Sequence, residues 1–364
     1  MSKRIVLKLG TQVVMDDTGH LNRPLLKQHV TAMAGWLSQG DQLLVVTSGA
    51  VGLGRNVLGL TPPLPLVQKQ ACAAVGQSLL MNTWRELFDW FERPVAQVLL
   101  TAADLADRQR YLNLRDTLET LLGLGVVPIL NENDVVSTAE LAGQSFGDND
   151  KLSALVASKL DADRLILLTN VDGIYTHNPN LEPDKARRIA EVDTLDVLNT
   201  IDTQGQSAYG RGGMSSKVAA ARIAWVSGVE TWVTSGLLPD ALTQTTGGTW
   251  IRPGGPAALS GKKRWIGFAS GYQGVIVVND GAAQALTQRG ASLLAVGIRR
   301  VDGPFQARQV VSVHNEQGHE IGRGVSRYGA DELCALTPEQ ARLLEEVIHR
   351  DNLVMFTEDA THDD

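Results

Sequence analysis

Six short apolar runs, at residues 5–9, 42–47, 95–100, 126–130, 165–169 and 230–234, recur through the first two thirds of this 364-residue chain. Most are apolar throughout instead of alternating, the pattern of parallel strands covered on both faces. Helical patterns lie between or beside them, at 24–39, 65–92, 104–122, 150–160 and 215–227. This alternation predicts an α/β fold, a doubly wound and mainly parallel sheet sandwiched by helices. Ligands in such folds sit beyond the carboxyl ends of the strands. The residues just after each run are therefore the ones to read for chemistry.

The first run ends in Lys8-Leu9-Gly10-Thr11 and the second in Thr47-Ser48-Gly49-Ala50-Val51-Gly52. The fourth leads into Asn131-Glu132-Asn133-Asp134, and the fifth into Thr169-Asn170-Val171-Asp172-Gly173. One such loop is an ordinary turn; four on one edge point to a ligand. A further stretch, Gly210-Arg211-Gly212-Gly213-Met214-Ser215-Ser216-Lys217, runs straight into a helical segment. Glycines let backbone approach an anion, a helix start aims N–H groups at it, and lysine adds charge. The combination suits a polyphosphate. It is not a Walker loop, because Ser216 stands where that motif needs glycine before the lysine.

A lysine ending a buried strand ordinarily reaches out at the sheet edge. Here that edge is the ligand side, so a phosphate contact by Lys8 is the better reading. Lys8 and Lys217 can approach one transferring phosphoryl group from opposite sides. Phosphoryl transfer asks for alignment and positive charge more than for covalent chemistry. Asp148, Asn149 and Asp150 open the helix expected at 150–160. Aspartates often merely cap a helix, but two carboxylates and an amide within three residues exceed that need. One of them can bridge the two lysines while the others meet a substrate. Asp134, with Asn131 and Asn133, forms a second acidic and amide-rich patch suited to an ammonium group. No histidine is placed beside these loops as a base, although His177 follows one, and the seven histidines show no metal spacing. A carboxylate nucleophile, with a pKa of about 4, needs no base at neutral pH.

The net charge of −7 gives no general reason to bind nucleic acid or anionic membrane. The two cysteines, Cys72 and Cys334, are far apart and form no disulfide framework or zinc site, which fits a reducing compartment. No apolar run approaches the roughly 18 residues that span a bilayer, and the first residues are too short an apolar stretch for a signal peptide. A cytoplasmic location is expected. Near residue 250 the composition changes. Arg252-Pro253-Gly254-Gly255-Pro256 and Ser260-Gly261-Lys262-Lys263-Arg264 read as a linker. Beyond it come a strand at 274–279, a helix at 281–289 and paired strands at 310–313 and 320–325. A helix capped by Thr337 with Pro338 in its first turn follows. The expected domains are 1–258, a linker at 259–271, a small β-rich domain at 272–352, and an acidic tail at 353–364.

The motifs Lys8-Leu9-Gly10-Thr11, Thr47-Ser48-Gly49-Ala50, Asn131-Glu132-Asn133-Asp134, Gly147-Asp148-Asn149-Asp150 and Gly212-Gly213-Met214-Ser215-Ser216-Lys217 resemble, in order, those of the glutamate 5-kinase family within the amino acid kinases. Residues 275–282 and 324–328 resemble the PUA domain attached to many bacterial members. The resemblance implies transfer of the ATP γ-phosphoryl group to the side-chain carboxylate of L-glutamate, with Mg²⁺ carried by the nucleotide. It implies catalytic roles for Lys8, Lys217 and Asp150. Ser48, Asp134, Asn149, Asn131 and Asp148 would meet glutamate. Lys8, Gly10, Thr169, Asn170, Arg211, Gly212, Gly213, Met214, Ser215, Ser216 and Lys217 would meet the nucleotide. It further implies inhibition by free L-proline and assembly as a homodimer or homotetramer. Gln12, Asn170 and Arg211 replace the serine, aspartate and threonine usual in the family. Aspartate kinases differ at the Lys-Leu-Gly-Thr start, and uridylate kinases would lack the second domain. An RNA-binding role is the alternative of another class, since PUA domains often grip structured RNA. Residues 270–364 hold no lysine, eight arginines and fourteen acids, the reverse of a footprint for phosphate backbones.

Overall fold

Lysine at position 8 is carried by a strand in which Ile5, Val6, Leu7 and Leu9 are apolar, and strand geometry explains where it points. Side chains alternate between the two faces of a strand. Ile5, Leu7 and Leu9 join a core cluster with Leu43, Val45, Leu80, Trp84 and Phe88, so Val6 and Lys8 face the opposite layer of helices. The computed structural model in which this is seen describes residues 2–137, 149–177, 179, 182–194, 197–198, 201, 213–244, 247–253, 263, 266–267 and 272–356.

The chain divides into two compact units, Met1–Ala258 and Leu259–Asp364. In the first unit the described strands are β1 (Arg4–Leu9), β2 (Gln42–Val46), β3 (Val95–Leu100), β4 (Val127–Glu132), β5 (Arg164–Thr169), β6 (Ile174–Tyr175), β7 (Arg188–Ile189), β8 (Glu191–Val192), β9 (Glu230–Ser235) and β10 (Thr249–Ile251). Its helices are α1 (Thr11–Val14), α2 (Arg23–Ser38), α3 (Ala50–Val57), α4 (Leu66–Asp89), α5 (Ala102–Ala106), α6 (Arg108–Gly123), α7 (Asn149–Lys159) and α8 (Met214–Val226). The sheet has eight strands in the order β3-β4-β2-β1-β5-β9-β10-β8. From β3 to β9 every neighbouring pair is parallel. The last two strands break the pattern: β10 runs antiparallel to β9 and parallel to β8.

Three local differences from the sequence reading matter. The fourth strand was expected to stop at 130 but runs to Glu132, because Leu99 and Leu100 of β3 continue to pair with Asn131 and Glu132. The helix expected at 104–122 is two helices, since Asp107 is extended and caps α6 by accepting from Arg110 N–H at 2.8 Å. The glycine-rich α3 was not foreseen. It crosses α4 with the backbones touching: a Cβ on Gly54 would overlap the Cys72 carbonyl, and one on Gly76 the Ala50 carbonyl.

The second unit holds a five-stranded sheet in the order β12-β11-β13-β14-β15, built from Ile298–Asp302, Val275–Val278, Val310–His314, Glu320–Val325 and Leu353–Met355 respectively. The pair at Val310–His314 and Glu320–Val325 is antiparallel, as the turn between them requires. Thr337 caps its helix by accepting from Gln340 N–H, with proline in the first turn. Two sequence expectations are corrected here. Leu353–Met355, expected in the tail, pairs with β14 because its apolar residues close the sheet. Ile266, expected in the linker, is fully buried against Val310 and Val354. Among the described residues no helix is long and apolar enough to cross a membrane.

Candidate active site

The carboxyl ends of β1, β2, β4 and β5 converge on one cleft of about 1040 Å³. Lys8, Gly10, Ser48, Asn131, Asp134 and Asn149 line it, and Thr169, Asn170 and Lys217 complete the wall. The sequence-separated motifs are thus neighbours in space.

Asp150 is the centre of the arrangement. It stands in the first turn of α7, where the helix dipole favours a carboxylate, and it is wholly buried. Lys8 Nζ lies 2.6 Å from its Oδ1 and Lys217 Nζ 3.3 Å from its Oδ2. Ser216 Oγ donates to Oδ2 at 2.9 Å. Burial pushes the Asp150 carboxyl up, but the two ammonium groups and these hydrogen bonds outweigh that and hold it well below the ordinary carboxylate range. The ionised carboxylate is therefore the favoured form. Two ammonium groups against one carboxylate leave these three groups with a net positive charge beside the cleft.

Two helix starts complete the anion-binding character. Gly49 adopts φ +105°, a conformation that favours glycine, and opens α3 without a side-chain cap. Gly213 opens α8, again with no side-chain cap. Their first-turn N–H groups lack intrahelical partners and suit oxygen ligands. Gly10 lies where the chain leaves β1, its N–H donating to Leu168 carbonyl at 3.0 Å.

The amide side of the cleft is equally organised. Asn149 Nδ2 points its two hydrogens at three acceptors, the Thr47 carbonyl at 2.6 Å, Ser48 Oγ at 2.8 Å and Asn131 Oδ1 at 2.9 Å. Asn131, expected in a loop, is instead a buried strand residue that reaches the cleft while holding its neighbours. Asp134 is half-buried in the turn that follows. Thr169 is buried and donates to Asn170 Oδ1 at 3.2 Å, while Asn170 is exposed at the cleft wall. Met214 and Ser215 sit at the start of α8, Ser215 exposed. Asp148, Arg211 and Gly212 lie outside the described residues. Gln12 and Glu132, noted in the sequence without a binding role, also line the cleft, as do Arg55 and Lys69, which the sequence analysis does not single out. Arg55 and Lys69 gave no local signal, being ordinary polar positions of α3 and α4.

Comparison with known proteins agrees with this geometry. The amino acid kinase family matches residues 3–235, and the PUA domain matches residues 274–348. A glutamate 5-kinase of Acaryochloris marina is 42% identical over 374 residues, covering 98% of this chain and 100% of the relative. One from Gloeobacter violaceus is 43% identical over 372 residues, covering 97% and 99%. One from Paramagnetospirillum magneticum is 42% identical over 368 residues, covering 97% and 98%. With a cleft that gathers two lysines on one carboxylate and relatives matching from end to end, this chain belongs to the amino acid kinase family, among its glutamate 5-kinases, and carries a PUA domain.

Proposed function

We propose that the chain transfers the γ-phosphoryl group of ATP to the side-chain carboxylate of L-glutamate, giving γ-glutamyl phosphate for proline biosynthesis. The observation that carries this is the buried Lys8–Asp150–Lys217 arrangement, whose two lysines line a cleft with a wall that is acidic and amide-rich. Lys8 and Lys217 offset the charge that spreads over the transferring group, and Asp150 keeps both ammonium groups aimed. Gly10, Thr169, Asn170 and the stretch from Arg211 to Ser216 receive the nucleotide. Asp134 and Asn149 take the ammonium of glutamate and Ser48 a carboxylate, with Asn131 and Asp148 completing that wall.

No general base enters the scheme. The attacking carboxylate is already ionised at neutral pH, so alignment and charge are what the protein supplies. The donor set, ammonium groups and amides, suits phosphate oxygens more than a bare cation, so Mg²⁺ would arrive on the nucleotide, held by phosphate and water, and there offset charge on the bridging oxygens. Free L-proline shares an ammonium and a carboxylate with glutamate. We assign it inhibition at the same wall, and we assign the active chain a homodimeric or homotetrameric state.

A coupled ADP-release assay across acceptors tests the reading. Turnover with L-glutamate and little with aspartate, N-acetylglutamate or UMP is expected. Turnover with any of those three in place of glutamate would overturn it.

A further inference from the structure

Gln77 interrupts the apolar stripe of α4, between Ala73 and Leu80, and is 8% exposed. Its Oε1 accepts from Asn131 Nδ2 at 3.0 Å, whereas its Nε2 has no partner among the described residues. An orphaned buried amide is costly. A residue serving only the helix packing would be apolar at this point of the stripe. The accepting oxygen is the part of Gln77 with a task.

That task lies one residue away. Asn131 Oδ1 accepts from the Glu132 backbone N–H at 2.9 Å and from Asn149 Nδ2 at 2.9 Å. Asn149 Nδ2 also stands 2.6 Å from the Thr47 carbonyl. Backbone groups fix the polarity of the whole chain of bonds, since an N–H only donates and a carbonyl only accepts. Asn131 must therefore turn its oxygen, and Asn149 its nitrogen, toward the protein. The Asn131 nitrogen then points back into the core, where Gln77 Oε1 is its acceptor. Asn149 Oδ1 is left with no protein partner among the described residues, on a side chain that lines the cleft. Ser48 Oγ, used as an acceptor by Asn149, keeps its own hydrogen for a ligand.

We propose that Gln77 is a positioning residue for the acceptor amino acid. It satisfies the buried end of the Asn131 amide, which holds Asn149 with its oxygen outward to receive an ammonium and leaves the Ser48 hydroxyl to meet a carboxylate. Gly76 is what lets α4 lie close enough, because it meets the Ala50 carbonyl of α3 where any side chain would collide. The proposal rests on the glutamate kinase reading and adds a residue outside the cleft wall to it.

The test is steady-state kinetics and thermal unfolding of the full chain as wild type, Gln77→Met and Gln77→Glu. Methionine removes the acceptor and the orphaned nitrogen together at similar volume. The KM for glutamate should rise about tenfold, the loss of one buried hydrogen bond, while kcat and the KM for ATP stay near wild type. Gln77→Glu retains an accepting oxygen and loses no partner of Nε2, so its KM for glutamate should stay near that of wild type. A glutamate KM unmoved in a folded Gln77→Met overturns the proposal, as does a fall in kcat with both KM values raised together. If the methionine variant does not fold, Gln77→Ala, which removes the acceptor without adding bulk, decides: a glutamate KM raised about tenfold with kcat near wild type supports the proposal, and an unmoved KM contradicts it. Failure of the underlying reading is distinguished at once, because wild type would then show no glutamate-dependent turnover.

Discussion

Lys8 Nζ lies 2.6 Å from Asp150 Oδ1, with 4% of the lysine side chain and none of the aspartate side chain exposed. A charge pair so deep is a poor device for stability, since desolvation consumes most of the Coulomb gain. Its value is placement: β1 supplies the lysine, the first turn of α7 the carboxylate, and α8 the second lysine. Replacing Lys8 or Lys217 with alanine should lower kcat by a factor of about 100 or more, on the order of 3 kcal/mol. The KM for glutamate should move little, because the charge being met develops in the transition state. Initial-rate kinetics check this, and a near-normal kcat in either variant would remove the lysines from the phosphoryl group.

Asp150→Asn should act on stability as well as rate. It leaves two buried ammonium groups without their shared carboxylate, at a cost of about 3–5 kcal/mol. Urea unfolding of the variant against wild type measures the loss. A variant as stable as wild type would mean that water or other groups already carry that charge.

Much of this was legible in the residues, for a physical reason. Parallel strands buried on both faces are apolar runs, so β1, β2, β5 and β9 stand out, and the ligand edge follows from their polarity. What stayed hidden depends on tertiary contacts. The end of β4 was misplaced because Asn131 and Glu132 look like loop residues until β3 is laid beside them. The antiparallel β10 is three residues long and has no period to read. Gln77 did leave a trace, a polar residue in the core stripe of a helix, but only the position of Asn131 gives it meaning. Arg55 lines the cleft from α3, a helix the sequence pattern does not show.

That backbone contact yields the next expectation. Gly54→Ala and Gly76→Ala each place a Cβ into a carbonyl of the facing helix, where no flexible side chain can give way. Each should cost about 3 kcal/mol or more, at the severe end of single substitutions. Thermal unfolding is the readout. Gly59→Ala, where φ is +63° but the space is open, should cost less.

Lys159 provides a pH-dependent test away from the site. It is buried at the end of α7, its Nζ donating to the Leu105 carbonyl at 3.0 Å and lying 3.8 Å over the Tyr111 ring. Burial lowers its pKa to about 7. Between about 7 and the unfolded value near 10.5, the unfolded chain binds the extra proton, so stability rises with pH across that window. Below about 7 the full penalty of a buried ammonium is present. Lys159→Met should therefore help most near neutral pH, with the advantage shrinking toward pH 10 by up to about 1.4 kcal/mol per pH unit. Denaturation curves at several pH values would show it. A difference that does not vary with pH would refute the assignment.

Inhibition by L-proline should be competitive with glutamate, since both would use the Asp134 and Asn149 wall. Asp134→Ala should raise the KM for glutamate and the proline concentration needed for half-inhibition together, each by about tenfold or more, as expected when a charged hydrogen-bond partner is lost. Steady-state rates at graded proline decide between this and a separate site, for which only one of the two constants would move.

The most direct measurement is a hydroxylamine trap run with ATP, Mg²⁺ and L-glutamate on the full chain. An acyl phosphate formed on the side-chain carboxylate reacts with hydroxylamine, so γ-glutamyl hydroxamate should accumulate in step with ADP release and vanish in Lys217→Ala. ADP release with no hydroxamate, or hydroxamate formed equally well by Lys217→Ala, would contradict phosphoryl transfer at the Lys8–Asp150–Lys217 centre.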